Sequence, residues 1–176
     1  MTCLAIILWA LLLNFSPTTT LEDSPHGGNP AQCYTILEWV QSFDIINALS
    51  SRAQQRLLSN AFDLARADLD TAIALDVDNP ALYVLRGQVY LALYEWDLSL
   101  EDYNTALQID STYADAYFYR GVLQYSILQT GYSTHEDALN DFEQYLQLAP
   151  HGGHASQAEQ YALTIRDALE ALKRSP

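Results

Sequence analysis

Apolar residues recur along this chain at helical spacing, in pairs of short runs. Leu82, Leu85, Val89 and Leu93 fall three or four residues apart, and after a break near Glu95 the pattern resumes with Leu98, Tyr103, Leu107 and Ile109. Asn79-Pro80 precedes the first run and Ser111-Thr112 follows the second, residue types that start or stop helices. The pattern predicts a helix, a turn and a second helix in about 34 residues.

The unit repeats. Shifted by 34 residues, Tyr83 falls on Tyr117 and Arg86-Gly87 on Arg120-Gly121, while Arg52-Ala53 falls on Arg86-Gly87 one unit earlier. The second halves agree as well: Phe62-Asp63-Leu64 aligns with Trp96-Asp97-Leu98, Asp68 with Asp102, and Thr71-Ala72 with Thr105-Ala106. In the third unit the offset becomes 39, with Asp102-Tyr103 on Asp141-Phe142 and Leu107-Gln108 on Leu146-Gln147. Five residues are therefore inserted between Tyr125 and Ala138, in the Gly-, Ser- and Thr-containing stretch 129–136, which reads as a lengthened turn. The three units run over 46–79, 80–113 and 114–152. Residues 154–173 form a further helical pattern (Ala158, Tyr161, Ala162, Ile165, Leu169, Leu172) without the Gly. They are expected to form a C-terminal capping helix, and residues 33–45 an N-terminal counterpart.

These residues resemble the tetratricopeptide repeat (TPR) family. The middle unit carries Tyr83, Arg86-Gly87, Tyr90, Ser99, Tyr103 and Ala106; the third carries Tyr117, Arg120-Gly121, Ala138, Phe142 and Pro150. Small residues at Ala65, Gly87, Gly121 and Ala138 let paired helices approach, and the aromatics fill the space between them. The chain departs from the pattern at Val77 and Ser111, where a closing Pro is expected. Arg56 replaces a Tyr, and the bulky Tyr145 replaces a small Ala, which predicts that regular stacking stops there. The resemblance implies an all-α solenoid of about three helix-turn-helix repeats plus the cap, and a protein-binding function. Known members bind peptide segments or helices on the concave wall formed by the first helix of each repeat.

The N-terminus changes the expected location. Residues 3–13 are continuously apolar and residues 16–20 are small or turn-forming, so residues 1–20 read as a secretory signal peptide, exporting the chain to the periplasm or cell exterior. The run is short for a bilayer span; the alternative is that it is retained as a membrane anchor, tethering the chain as a structural subunit of an envelope or secretion assembly. Residues 21–32 then form a Pro- and Gly-containing linker. With the signal removed, Cys33 is the only cysteine, so no internal disulfide forms; Pro30-Ala31-Gln32 before it departs from a lipidation motif. A net charge of -14 argues against nucleic acid, which recruits Lys and Arg. The same charge serves as a solvated surface or docks a basic partner.

Little points to chemistry. His151 and His154 are spaced to reach one metal ion, but no third ligand is evident and a Gly turn explains them better. His26-Gly27-Gly28 lacks the nucleophile elbow that would make it part of a hydrolase. Glu101-Asp102 and Glu136-Asp137 are sequence neighbours, which diverge on a helix. No phosphate-binding loop or dinucleotide fingerprint is present, so no enzyme activity, cofactor or small-molecule substrate is inferred. Arg86 and Arg120 are expected to be structural, with their heads paired to Asp102 or Asp141.

Helical spacing nominates the concave positions Asn47, Ser50, Gln54 and Leu57 in the first unit, Ala81, Val84, Gln88 and Leu91 in the second, and Asp115, Phe118, Val122 and Tyr125 in the third. None is basic, so the clamp with which chaperone-binding members of the family hold a C-terminal carboxylate is not expected. Phe118 and Tyr125, flanked by Val84 and Gln88, are candidate anchors for an apolar partner side chain, with Asp115 pairing a basic residue. Alternatively, Phe118 and Tyr125 pack against the cap.

Overall fold

The computed structural model describes residues 30–127 and 134–174, with side chains from residue 43 onward. Every regular element in them is a helix: α1 (Pro30–Leu58), α2 (Phe62–Leu75), α3 (Pro80–Ala92), α4 (Trp96–Ile109), α5 (Ala114–Ser126), α6 (His135–Leu148) and α7 (Ala155–Arg174). The apolar run at 3–13, the string at 26–28 and the side chain of Cys33 lie outside the described residues. The chain divides into two compact units, residues 1–47 and 48–176. What is described of the first is helical from Pro30. α1 runs without a break through positions 45 and 46, so the helix expected over 33–45 and the first helix of the opening repeat are one element. No Gly or Pro interrupts the sequence between Ala31 and Leu58 to end it sooner.

The second unit is an α-helical repeat solenoid. From α2 to α7 each helix packs on the next, and α3 also packs on α5. Two hydrogen-bonded turns set this geometry. At the end of α1 the Ala61 N–H donates to the Arg56 carbonyl at 2.8 Å and the Asn60 N–H to that of Leu57 at 3.2 Å. Thirty-four residues on, the Glu95 N–H donates to Tyr90 at 2.9 Å and the Tyr94 N–H to Leu91 at 3.1 Å. This closure requires a left-handed pivot, and Asn60 (φ 59°) and Tyr94 (φ 62°) provide it without glycine.

Three residues separate the helices of the first two repeats, but residues 127–134 separate α5 from α6. The five-residue excess matches the change of sequence offset. α6 starts at His135, so His135 and Glu136 belong to its first turn rather than to the connection. Thr134 caps it reciprocally: the Asp137 N–H donates to Thr134 Oγ1, and the Thr134 N–H donates to Asp137 Oδ2, both at 3.1 Å. Between repeats, where Pro is missing, tyrosines hold the turn. The Tyr83 hydroxyl donates to the Val77 carbonyl (3.1 Å) and the Tyr117 hydroxyl to that of Ser111 (3.2 Å).

The core sits between the helices of each pair. A Cβ at Gly87 would stand 2.5 Å from the ring of fully buried Tyr103, so only glycine permits that approach of α3 to α4. The Ser99 hydroxyl donates to the Gly87 carbonyl at 2.8 Å across the same contact. Tyr145 has a constructive part in the end of the stack. Its buried hydroxyl accepts the His154 N–H at 3.0 Å, fixing the turn from α6 into α7. The cap then docks through Ala158, Ala162 and Ile165, with Tyr161 stacked on Phe142 at 4.9 Å.

Candidate functional site

Arginine is used structurally throughout the unit. Arg52, Arg86 and Arg120, each on the first helix of a repeat, grip Asp68, Asp102 and Asp141 of the second helix in two-pronged contacts of 2.6–2.9 Å. Arg86 and Arg120 also reach back to the preceding repeat, donating to Asp70 at 2.8 Å and to Asn104 at 2.7 Å. They bear on the faces of Tyr83 and Tyr117, each at 5.6 Å. One guanidinium therefore ties three helices, which accounts for its recurrence without a ligand. The carboxylates differ in environment. Burial raises Asp102 and Asp141 above the ordinary value, with their arginines opposing, whereas the Arg52 hydrogen bond lowers Asp68.

The first helices leave a groove of about 470 Å³. α1 contributes Gln54, Leu57 and Leu58; α3 contributes Ala81, Val84, Leu85 and Gln88. Tyr113, Asp115 and Tyr119 form the far wall at the start of α5, and His154 closes it ahead of α7. That wall is held rigidly. Tyr119 meets Phe118 edge-on at 5.2 Å and His154 edge-on at 5.3 Å, and its hydroxyl lies 3.3 Å from His154 Nε2. Burial and the charge of Asp115 raise both the Tyr113 and Tyr119 phenols above their ordinary value.

Of the candidate residues, Gln54, Val84, Gln88 and Asp115 come together on this groove, with Leu57 and Ala81. Asn47, Ser50, Leu91, Phe118, Val122 and Tyr125 are not among its lining residues. Phe118 is 2% exposed and stacked on the His154 ring at 4.2 Å, so it has no face to offer a partner. Tyr125 packs on Tyr161 at 5.1 Å and Val122 on the same α5–α7 core, while Leu91 packs on the core between α3, α4 and α5. The physical reason is that α6, α7 and the turn between them cover the 118/122/125 stripe, leaving the 115/119 stripe of α5 to the groove. Tyr113, Tyr119 and His154 were not nominated by spacing. The one available signal was the 34-residue register that places Tyr119 on Leu85. His154 is spent on the aromatic wall, and among the described residues no group of three or more His, Cys, Asp or Glu could hold a metal ion. Nor is any described helix long and apolar enough to cross a membrane.

Residues 95–127, spanning α4 and α5, match the TPR repeat family. No curated protein matches the chain. Among solved structures, the first TPR of Spaghetti (RPAP3) bound to the HSP90 peptide SRMEEVD is similar, with a TM-score of 0.64 at 23% identity, covering 72% of this chain and 97% of that one. The Sgt2 TPR domain from Aspergillus fumigatus aligns with a TM-score of 0.65 at 18% identity over 74% of this chain and 82% of that one. The Yersinia enterocolitica type III secretion translocator chaperone SycD gives 0.62 at 17% identity, covering 72% and 87%. At these identities the likeness shows a shared fold, that of a TPR domain.

Proposed function

We propose that this chain is a protein-interaction module that holds a peptide segment or helix of a partner protein along the groove of its first helices, and that it performs no catalysis. The observation that carries the reading is the groove itself: all three repeats build it, with an apolar floor at Leu57, Val84 and Leu85 and polar groups at Gln54, Gln88 and Asp115. A concave apolar site with a few convergent polar groups is suited to anchoring side chains. The similar first TPR of RPAP3 is bound to an HSP90 peptide, which supports a peptide-binding reading of this fold. Residues 1–20 extend the proposal to an exported module acting on a protein outside the cytoplasm.

The test uses the full chain as bait against envelope and secreted fractions, beside Gln88→Trp. Gln88 is half-buried on the groove, and an indole there occupies the space a peptide needs. Phe118 and Tyr125 are unsuitable probes, because removing either opens the core. A protein captured by the native chain and lost from a folded Gln88→Trp variant is the expected result; equal capture on both removes the groove from the function.

A further inference from the structure

We propose that the groove selects a partner segment carrying a lysine or arginine side chain, seated against Asp115 on the aromatic wall of Tyr113, Tyr119 and His154. This rests on the peptide-binding reading above and names the chemistry that the groove accepts.

The first observation is a charge left over. The chain has eight Lys and Arg. All seven arginines lie among the described residues and each is ion-paired: Arg52 and Arg56 with Asp68, Arg66 with Asp63, Arg86 with Asp102, Arg120 with Asp141, Arg166 with Glu143 and Arg174 with Glu170. The single lysine, Lys173, sits in the last turn of α7. Asp115 belongs to none of these pairs, although it is half-buried and lines the groove. A half-buried carboxylate gains from a cation, and no arginine or lysine among the described residues is paired with this one.

A second observation separates ligand binding from a role in the helix. Asp115 stands in the first turn of α5, where any acid complements the helix dipole. The equivalent position in the preceding repeat is Ala81, on a helix that forms without an acid in its first turn. Its neighbours also fit a cation. Two phenols line the groove with the carboxylate, and the face of a tyrosine ring favours an ammonium or guanidinium group. The net charge of -14 draws basic segments toward the chain and repels acidic ones. A peptide ending in a free carboxylate, by contrast, meets Asp115 with no described Lys or Arg on the groove to receive it. The selectivity is therefore opposite in sign to that needed for an acidic tail such as the SRMEEVD peptide bound by the similar RPAP3 domain.

The experiment measures retention of peptide pools on the immobilised full chain. Each pool is an acetylated, amidated decapeptide randomised over uncharged residues, with arginine, lysine, norleucine or glutamate fixed at the centre; a fifth pool ends in a free aspartate. Arginine and lysine pools are expected to be enriched at least about tenfold over norleucine and glutamate. Enrichment is expected to fall with added salt, to vanish in Asp115→Asn, and to persist in Asp63→Asn, which removes an exposed acid elsewhere. Circular dichroism confirms that both variants fold. Equal retention of the norleucine and arginine pools, unchanged by Asp115→Asn, overturns the cation preference while leaving peptide binding in place. Enrichment of the glutamate or free-carboxylate pool also overturns it. Retention of no pool removes the peptide-binding reading together with this inference.

Discussion

Tyr94 occupies a backbone conformation that favours glycine. Its φ of 62° closes the turn after α3, yet its side chain is 78% exposed, so little packing compensates. A left-handed conformation costs a residue with a Cβ roughly 1–2 kcal/mol, and glycine gives part of that back through greater freedom in the unfolded chain. Tyr94→Gly is therefore expected to stabilise the protein by about 0.5–1 kcal/mol, raising Tm by a few degrees. Asn60→Gly, at the equivalent turn, should change stability less, because asparagine tolerates this conformation. Thermal melts of the two variants decide the matter; a lower Tm for Tyr94→Gly would mean that the tyrosine ring contributes packing worth more than the strain. This pivot was illegible in the sequence, since tyrosine carries no turn signal. Gly87 was legible because its smallness recurs at Gly121, 34 residues on.

At the level of helix pairs, the same Arg–Asp contact recurs three times in two electrostatic settings, and this sets the order in which acid loosens the stack. Asp68 is held below its ordinary value, first by the Arg52 hydrogen bond. Its shift contributes stability above the ordinary value, 3.8, and that contribution is lost as pH falls through the lower folded value. Asp102 and Asp141 are raised, chiefly by burial. Their shifts have the reverse sign: the contribution is present below the ordinary value and lost as pH rises through the folded one, so acidification costs nothing through them. The α1–α2 pair should thus open first below about pH 4. Hydrogen exchange between pH 5 and pH 2, corrected for intrinsic rates, should show protection lost over 48–75 before 80–148; the opposite order would refute it. The Arg–Asp pairs themselves were readable, because Arg52 and Arg86 each precede an Asp by 16 residues and the five-residue insertion makes the interval 21 for Arg120. The exposed stripe of α5 was not. Spacing showed that Asp115, Phe118, Val122 and Tyr125 share a broad face, but only the positions of α6 and of the turn into α7 decide that Phe118 is core and Tyr119 is wall.

On the scale of the whole second unit, a solenoid needs its last apolar face covered, because each repeat is stabilised by its neighbour. Here α7 does so, and it simultaneously completes the groove through His154. Ala158, Ala162 and Ile165 bury against the core that contains Phe118, Phe142 and Tyr145, and the turn into α7 hangs on the Tyr145 hydroxyl. Ending the chain after Pro150 would expose these three aromatics and remove the imidazole stacked on Phe118. Uncovering buried side chains of this size costs about 1.5–3 kcal/mol each, a large part of the stability of a domain this size. The truncated chain should therefore melt at markedly lower temperature or aggregate, and hydrogen exchange should show loss of protection beginning in α5 and α6 and spreading to α3 and α4. A milder variant separates covering from groove-building. His154→Ala keeps the backbone N–H that Tyr145 accepts and the apolar contacts of α7, so it should retain most of the melting temperature while loosening Tyr119. If His154→Ala instead melted like the truncation, the imidazole, rather than the apolar face of α7, would be what closes the stack.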